Sequence, residues 1–193
     1  MAQIIDLNSD EPKNNERYFV DTNVWFWLTY ASSQIFKMNN TPQDYQMKDY
    51  PAYIEKALSN GSVLCHCPLT FTEISNVIED AEHKKYIADS GKPCTKKEFR
   101  SLQEERIKVL NEIKIAWDTI ESMSACLSMH LDSEFTSKAK CIMDKSNLDP
   151  FDAFFSQIMV DEAIDYIVTD DYDFCTSQEH IVVTANKKSV KFS

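Results

Sequence analysis

The feature that most constrains this chain is an alternation. Short runs of strand-forming residues, each closed by a polar or acidic turn, are followed by stretches with helical spacing. Tyr18-Phe19-Val20, Ser62-Val63-Leu64-Cys65, Tyr166-Ile167-Val168-Thr169 and Ile181-Val182-Val183-Thr184 are near-continuous apolar runs, the pattern of strands buried on both faces of a parallel sheet. Between them, 3.6-residue spacing predicts a buried helix opening near Val24 and further helices over residues 42–58, 70–85, 96–117, 134–143 and 151–163. Asn60-Gly61 stops the second of these, Thr95 with Glu98 forms a capping box for the fourth, and Asp149 caps the last with Pro150 in its first turn. Residues 120–132 read equally as helix or strand. The alternation predicts an α/β chain, a central and mainly parallel sheet flanked by helices, and one domain for 193 residues. Residues 1–16, polar except for Ile4-Ile5, read as a flexible arm ahead of a domain over 17–193, and the basic stretch after Thr184 reads as an exposed tail.

Composition removes several functional classes. Two glycines are too few for a glycine-rich nucleotide loop. No stretch approaches the ~20 apolar residues of a bilayer span, and no secretory leader is visible, so no membrane partner and a cytoplasmic location are expected. The six cysteines then read as reduced thiols. Cys65-His66-Cys67 makes a poor zinc site because neighbouring side chains on a strand point to opposite faces. A formal charge of −11 argues against broad phosphate neutralisation, but an acidic site filled by divalent cations becomes a positive centre for phosphate.

Four acids stand where such a site would form. Asp21 closes the first apolar run, Glu73 lies near the start of the helix after the second, Asp152 is in the first turn of the helix at 151–163, and Asp171 follows the third run. These places correspond to one edge of a parallel sheet, where ligands collect. Hard carboxylate oxygens suit magnesium or manganese, and unpaired acids held together without a cation would repel one another.

Phe19-Val20-Asp21-Thr22-Asn23-Val24, Thr72-Glu73-Ile74-Ser75-Asn76-Val77, Leu148-Asp149-Pro150-Phe151-Asp152-Ala153 and Ile167-Val168-Thr169-Asp170-Asp171-Tyr172-Asp173-Phe174 resemble, in order, the four motifs of the PIN-domain ribonucleases, including VapC-like toxins. The resemblance covers residues 17 to about 185. It implies the PIN-like fold and a Mg2+- or Mn2+-dependent endoribonuclease, with RNA as substrate and an antitoxin protein or a second copy of the chain as partners. It places the catalytic and metal-binding acids on Asp21, Glu73, Asp152 and Asp171. Asp21 and Asp152 would bind the tighter ion, Glu73 would hold or orient the attacking water, and Asp171 would support a second ion. Thr22 and Asn23 would orient Asp21 or contact phosphate, and Thr169 would play a similar supporting part, while Asp170 and Asp173 stand as substitutes for Asp171. Relative to small toxins the chain is enlarged over residues 82–143. An inactive PIN-like module that binds RNA or protein is the alternative. A HAD-type phosphatase ranks lower, because Asp21-Thr22-Asn23 lacks the second aspartate of that chemistry. Trp25, Phe26 and Trp27 read as core rather than as a base-stacking surface. Lys84, Lys85, Lys92, Lys96, Lys97, Arg100 and Arg106 form a candidate path for the RNA backbone.

Overall fold

Continuous apolar strands need cover on both faces, and the chain supplies it from helices of different regions. The computed structural model describes residues 1–34 and 42–191. Its six strands are β1 (Gln3–Asp6), β2 (Arg17–Val20), β3 (Val63–His66), β4 (Ala125–Cys126), β5 (Tyr166–Val168) and β6 (Ile181–Thr184). They form one sheet in the order β1-β6-β5-β2-β3-β4, and every neighbouring pair is parallel. The helices are α1 (Thr22–Phe26), which passes through a π-helical turn (Trp27–Ala31) into α2 (Ser32–Gln34), then α3 (Asp44–Ser59), α4 (Pro68–Ser90), α5 (Lys96–Ser101), α6 (Gln103–Met123), α7 (Ser133–Met143), α8 (Pro150–Asp161) and α9 (Lys187–Val190).

Strand periodicity divides the core in two. Tyr18, Val20, Leu64, Val168 and Val183 face a layer built from α1, α3, α4 and α6, where Trp25, Tyr50, Ile74, Phe99 and Ile113 are buried. Phe19, Cys65, Ile167 and Val182 face the opposite layer, built largely from α7 and α8 with Phe135, Ala139, Phe155 and Ile158. Trp25, Phe26 and Trp27 are buried, which places them in the core as expected. Asp149 caps α8 by accepting from the Phe151 and Asp152 amides, and Thr95 with Glu98 forms the capping box of α5. No helix among the described residues is long and apolar enough to cross a membrane.

Three expectations need correction. Residues 1–16 are not a flexible arm: Gln3–Asp6 pairs in register with Ile181–Thr184, burying Ile4, and the chain beyond is fastened to α3. Tyr53 Oη donates to Asp10 Oδ2 (2.5 Å), Lys56 Nζ to the Asp10 carbonyl (2.8 Å) and Asn60 Nδ2 to the Pro12 carbonyl (2.9 Å). Gly61, at φ 81°, makes the turn that brings Asn15 N–H to its carbonyl at 3.0 Å. Second, the helix expected over 96–117 is two helices, separated by an extended Leu102 (φ −76°, ψ 105°). α5 is anchored by its own contacts, with Phe99 against His83 and Tyr86 and Arg100 clamped on Glu79, so α6 departs in its own direction. Third, the basic stretch after Thr184 is not simply an extended tail: it turns into α9, capped by the Asn186 side chain, with Ser189 buried.

If β1 is integral to the sheet, Ile4→Ala is expected to cost about 2 kcal/mol, a fall in Tm of roughly 4–8 °C. Thermal unfolding checks this, and an unchanged Tm would mean that the segment behaves as an arm after all.

Candidate functional site

The strand order fixes where a site can form. From β2 the chain moves outward through β3 to β4, then returns to the other side of β2 for β5 and β6. The junction of β2 and β5 is therefore the switch point of the sheet, and in open parallel sheets the carboxyl ends of the strands at such a point are where a ligand crevice forms. Phe19 pairs with Ile167 and Val20 with Val168, so Asp21 and Thr169 leave the sheet side by side. Asp21 is 2% exposed. Thr169 Oγ1 donates to Asp21 Oδ2 at 2.7 Å and accepts from the Asp171 amide at 2.9 Å, so one hydroxyl links the first and last of the four acids.

Asp21 occupies the N-cap position of α1, but its side chain makes no capping hydrogen bond. The carboxylate is held toward the crevice instead. Glu73 comes from the second turn of α4, and Thr22 Oγ1 donates to its Oε2 at 2.5 Å. That bond corrects the expected role of Thr22, which steadies Glu73. Asn23 is exposed. Asp152 enters from the first turn of α8, and Asp171 caps the 3-10 turn Tyr172–Thr176, accepting from the Asp173 amide at 2.8 Å.

The electrostatics show how closely these groups stand. Burial, the charge of Glu73 and the charge of Asp171 push Asp21 up to about 7, against the hydrogen bond from Thr169. Burial, followed by the charges of Asp21, Asp149, Asp171 and Glu73, pushes Asp152 up to about 9. Burial likewise raises Glu73, with Asp149 and Asp171 adding to it, and raises Asp171, with Asp173, Asp149 and Asp170 adding to it. None of the ion pairs among the described residues involves any of the four.

Asp170 is turned the other way. Its carboxylate accepts from Tyr45 Oη (2.9 Å), Gln46 Nε2 (2.7 Å) and Tyr50 Oη (2.8 Å), all from α3. Tyr50 Oη also lies 3.0 Å from the Thr169 carbonyl and accepts from the Ala185 amide at 3.1 Å. Asp170 and Tyr50 thereby fasten the ends of β5 and β6 beneath the acids, and Asp171 is the member of the Asp170-Asp171 pair that faces the crevice. Asp173 meets Asp171 through its backbone amide. Two contributions escape the sequence reading: Asp149 adds negative charge to the cluster while capping α8, and the tyrosines of α3 carry no local signal because their partner lies far along the chain.

The donor set fits a hard divalent cation: oxygen ligands only, mutually repelling and, among the described residues, without an ion-paired cationic side chain. As the side chains lie, no group of three or more His, Cys, Asp or Glu among the described residues is arranged to hold a metal ion. The proposed basic path fares less well. Lys85 pairs with Glu82, Lys96 with Asp80, and Arg100 and Arg106 with Glu79, so four of its seven members are engaged by α4. Compared with known proteins, the chain matches no family model and no curated protein sequence.

Acids whose pKa is raised by folding stabilise the fold while protonated. That contribution is complete below the ordinary range of about 4 and is lost as pH rises through the folded values, here about 7 for Asp21 and about 9 for Asp152. Buried His66 and His180 are shifted down, so their own effect is complete by about pH 7, while the thiols of Cys65, Cys67 and Cys175, raised by burial, add to the loss only toward pH 9 and above. In EDTA, the Tm is expected to fall by several degrees between pH 7 and pH 9, and Asp152→Asn to flatten that fall. Differential scanning calorimetry tests it; a Tm that holds or rises would contradict the assignment.

Proposed function

We propose that this chain is a PIN-like, magnesium- or manganese-dependent endoribonuclease that cuts RNA at the crevice between β2 and β5. The observation that carries the reading is the convergence, at one sheet edge, of four carboxylates from four separate elements with no ion-pairing cation among the described residues to compensate them. Burying such charge is costly, and its retention at a ligand-collecting edge is what a cation-dependent site requires. The motif resemblance supports the same conclusion from the sequence side.

Asp21 and Asp152 would hold the tighter ion, with Glu73 and Asp171 completing the set. Such an ion, when bound, neutralises phosphodiester charge and makes water more acidic. The chain's own groups do the rest. Thr169 fixes Oδ2 of Asp21. Thr22 fixes Oε2 of Glu73 and leaves its other oxygen to orient a water. Asp152, protonated more readily than an ordinary aspartate, gives up its proton as a cation arrives, so loading strengthens as pH rises. An antitoxin protein and a second copy of the chain are the partners this reading proposes.

A second reading, an inactive module of the same fold that binds RNA or protein, is favoured by one observation: the acids are not drawn into a closed ion-holding group as they lie. Cleavage of a mixed single-stranded RNA separates the two. Activity with manganese, none with EDTA, and a loss of at least about a hundredfold in Asp21→Asn and Asp152→Asn is the expected result. No cleavage by the intact chain, together with no calorimetric signal for manganese, would favour the module.

A further inference from the structure

Beside the acid cluster lies a groove between α4 and α6 that the cleavage chemistry does not use. Its volume is about 310 Å3, at the small end of the range for ligand sites. Asn76 lines it and stands three residues beyond Glu73 on α4, so the groove begins one helical turn from the acids. Its floor is apolar, formed by Phe71, Leu110 and Ile113. Phe71 is 45% exposed although it is aromatic, and its ring is held at a steep angle by the edge-to-face contact with Trp117, at a centroid distance of 5.1 Å. Ser75 lines the same groove, and its hydroxyl is shut off from solvent without a hydrogen bond to any described residue. Arg100 and Arg106 stand on the rim, both bonded to Glu79, and a guanidinium carries five N–H donors, more than Glu79 occupies.

An exposed ring, an unpartnered hydroxyl, a neighbouring amide and spare guanidinium donors are the elements that recognise a flat aromatic heterocycle attached to a phosphate chain. We propose that this groove is a nucleobase subsite: a base of single-stranded RNA stacks on Phe71 and hydrogen-bonds Ser75 and Asn76 while its backbone crosses the carboxylates. This rests on the reading of the chain as an RNA-cutting protein, and it adds a determinant of which bases flank the cut. The guanidinium groups of Arg100 and Arg106 meet the adjoining phosphate from the rim. Such a site also accounts for the engagement of these arginines by Glu79, which holds them in place rather than removing them from use.

The test is equilibrium binding of fluorescently labelled 12-nucleotide RNA to the full chain in EDTA, where cutting plays no part. Phe71→Ala is expected to weaken binding about tenfold, Phe71→Tyr to retain it, and an abasic 12-mer to bind the intact chain and Phe71→Ala equally. Circular dichroism of both variants verifies folding, which an exposed position should preserve. Equal binding of RNA by the intact chain and Phe71→Ala, or no binding by the intact chain, overturns the proposal. So does a dimer of the intact chain that Phe71→Ala dissociates without changing RNA affinity, since the groove is then an interface between copies. The two readings fail separately: loss of cleavage in the aspartate variants reports on the acids, whereas binding without metal reports on the groove.

Discussion

The adjacency of β2 and β5 is the constraint from which the rest follows. Because these strands run parallel and in register, Asp21 and Thr169 emerge at the same height, and one hydroxyl can hold the buried carboxylate while fixing the amide of Asp171. Were the register shifted by one residue, every side chain beyond the sheet would change face, and that shared hydroxyl would be lost. The two apolar layers make the register unambiguous, since Phe19 and Ile167 belong to one and Val20 and Val168 to the other. The site is thus positioned by packing that has no chemistry of its own.

What the packing supports is an electrostatic conflict. Burial raises the pKa of Asp21, Glu73, Asp152 and Asp171, neighbouring carboxylates raise each of them further, and the relief found among the described residues comes from hydroxyl and amide donors. Elsewhere the protein does not tolerate this: Glu79, 5% exposed and on the same helix as Glu73, is met by two guanidinium groups and sits below its ordinary value. The contrast within a single helix, between a compensated Glu79 and an uncompensated Glu73, separates a structural carboxylate from one kept available.

Much of this was legible in the sequence because the signals were local. Buried strands announce themselves as short apolar runs, Asp149-Pro150 marks a helix start, and the acids stand at the ends of such runs. Features that depend on distant partners were not legible. Ile4-Ile5 gives no sign that β6 will accept it, so the edge strand read as an arm. Ala125–Cys126 is too short a strand for any periodicity. Asp170 and Asp171 are indistinguishable neighbours until α3 supplies the tyrosines that take one of them away. Leu102 divides a helix that its sequence would continue, because Phe99 and Arg100 are committed to α4.

The pairing of β1 with β6 also has a temporal side. Residues 3–6 find their partners only once Ile181–Thr184 has been made, and Asp21 likewise waits for Thr169. Long-range parallel pairing of this kind is slow, and it keeps the nascent chain without its assembled centre until those later residues are in place. Through that interval the acids are separate, hydrated side chains. The crevice, and whatever activity belongs to it, comes into being in one late step.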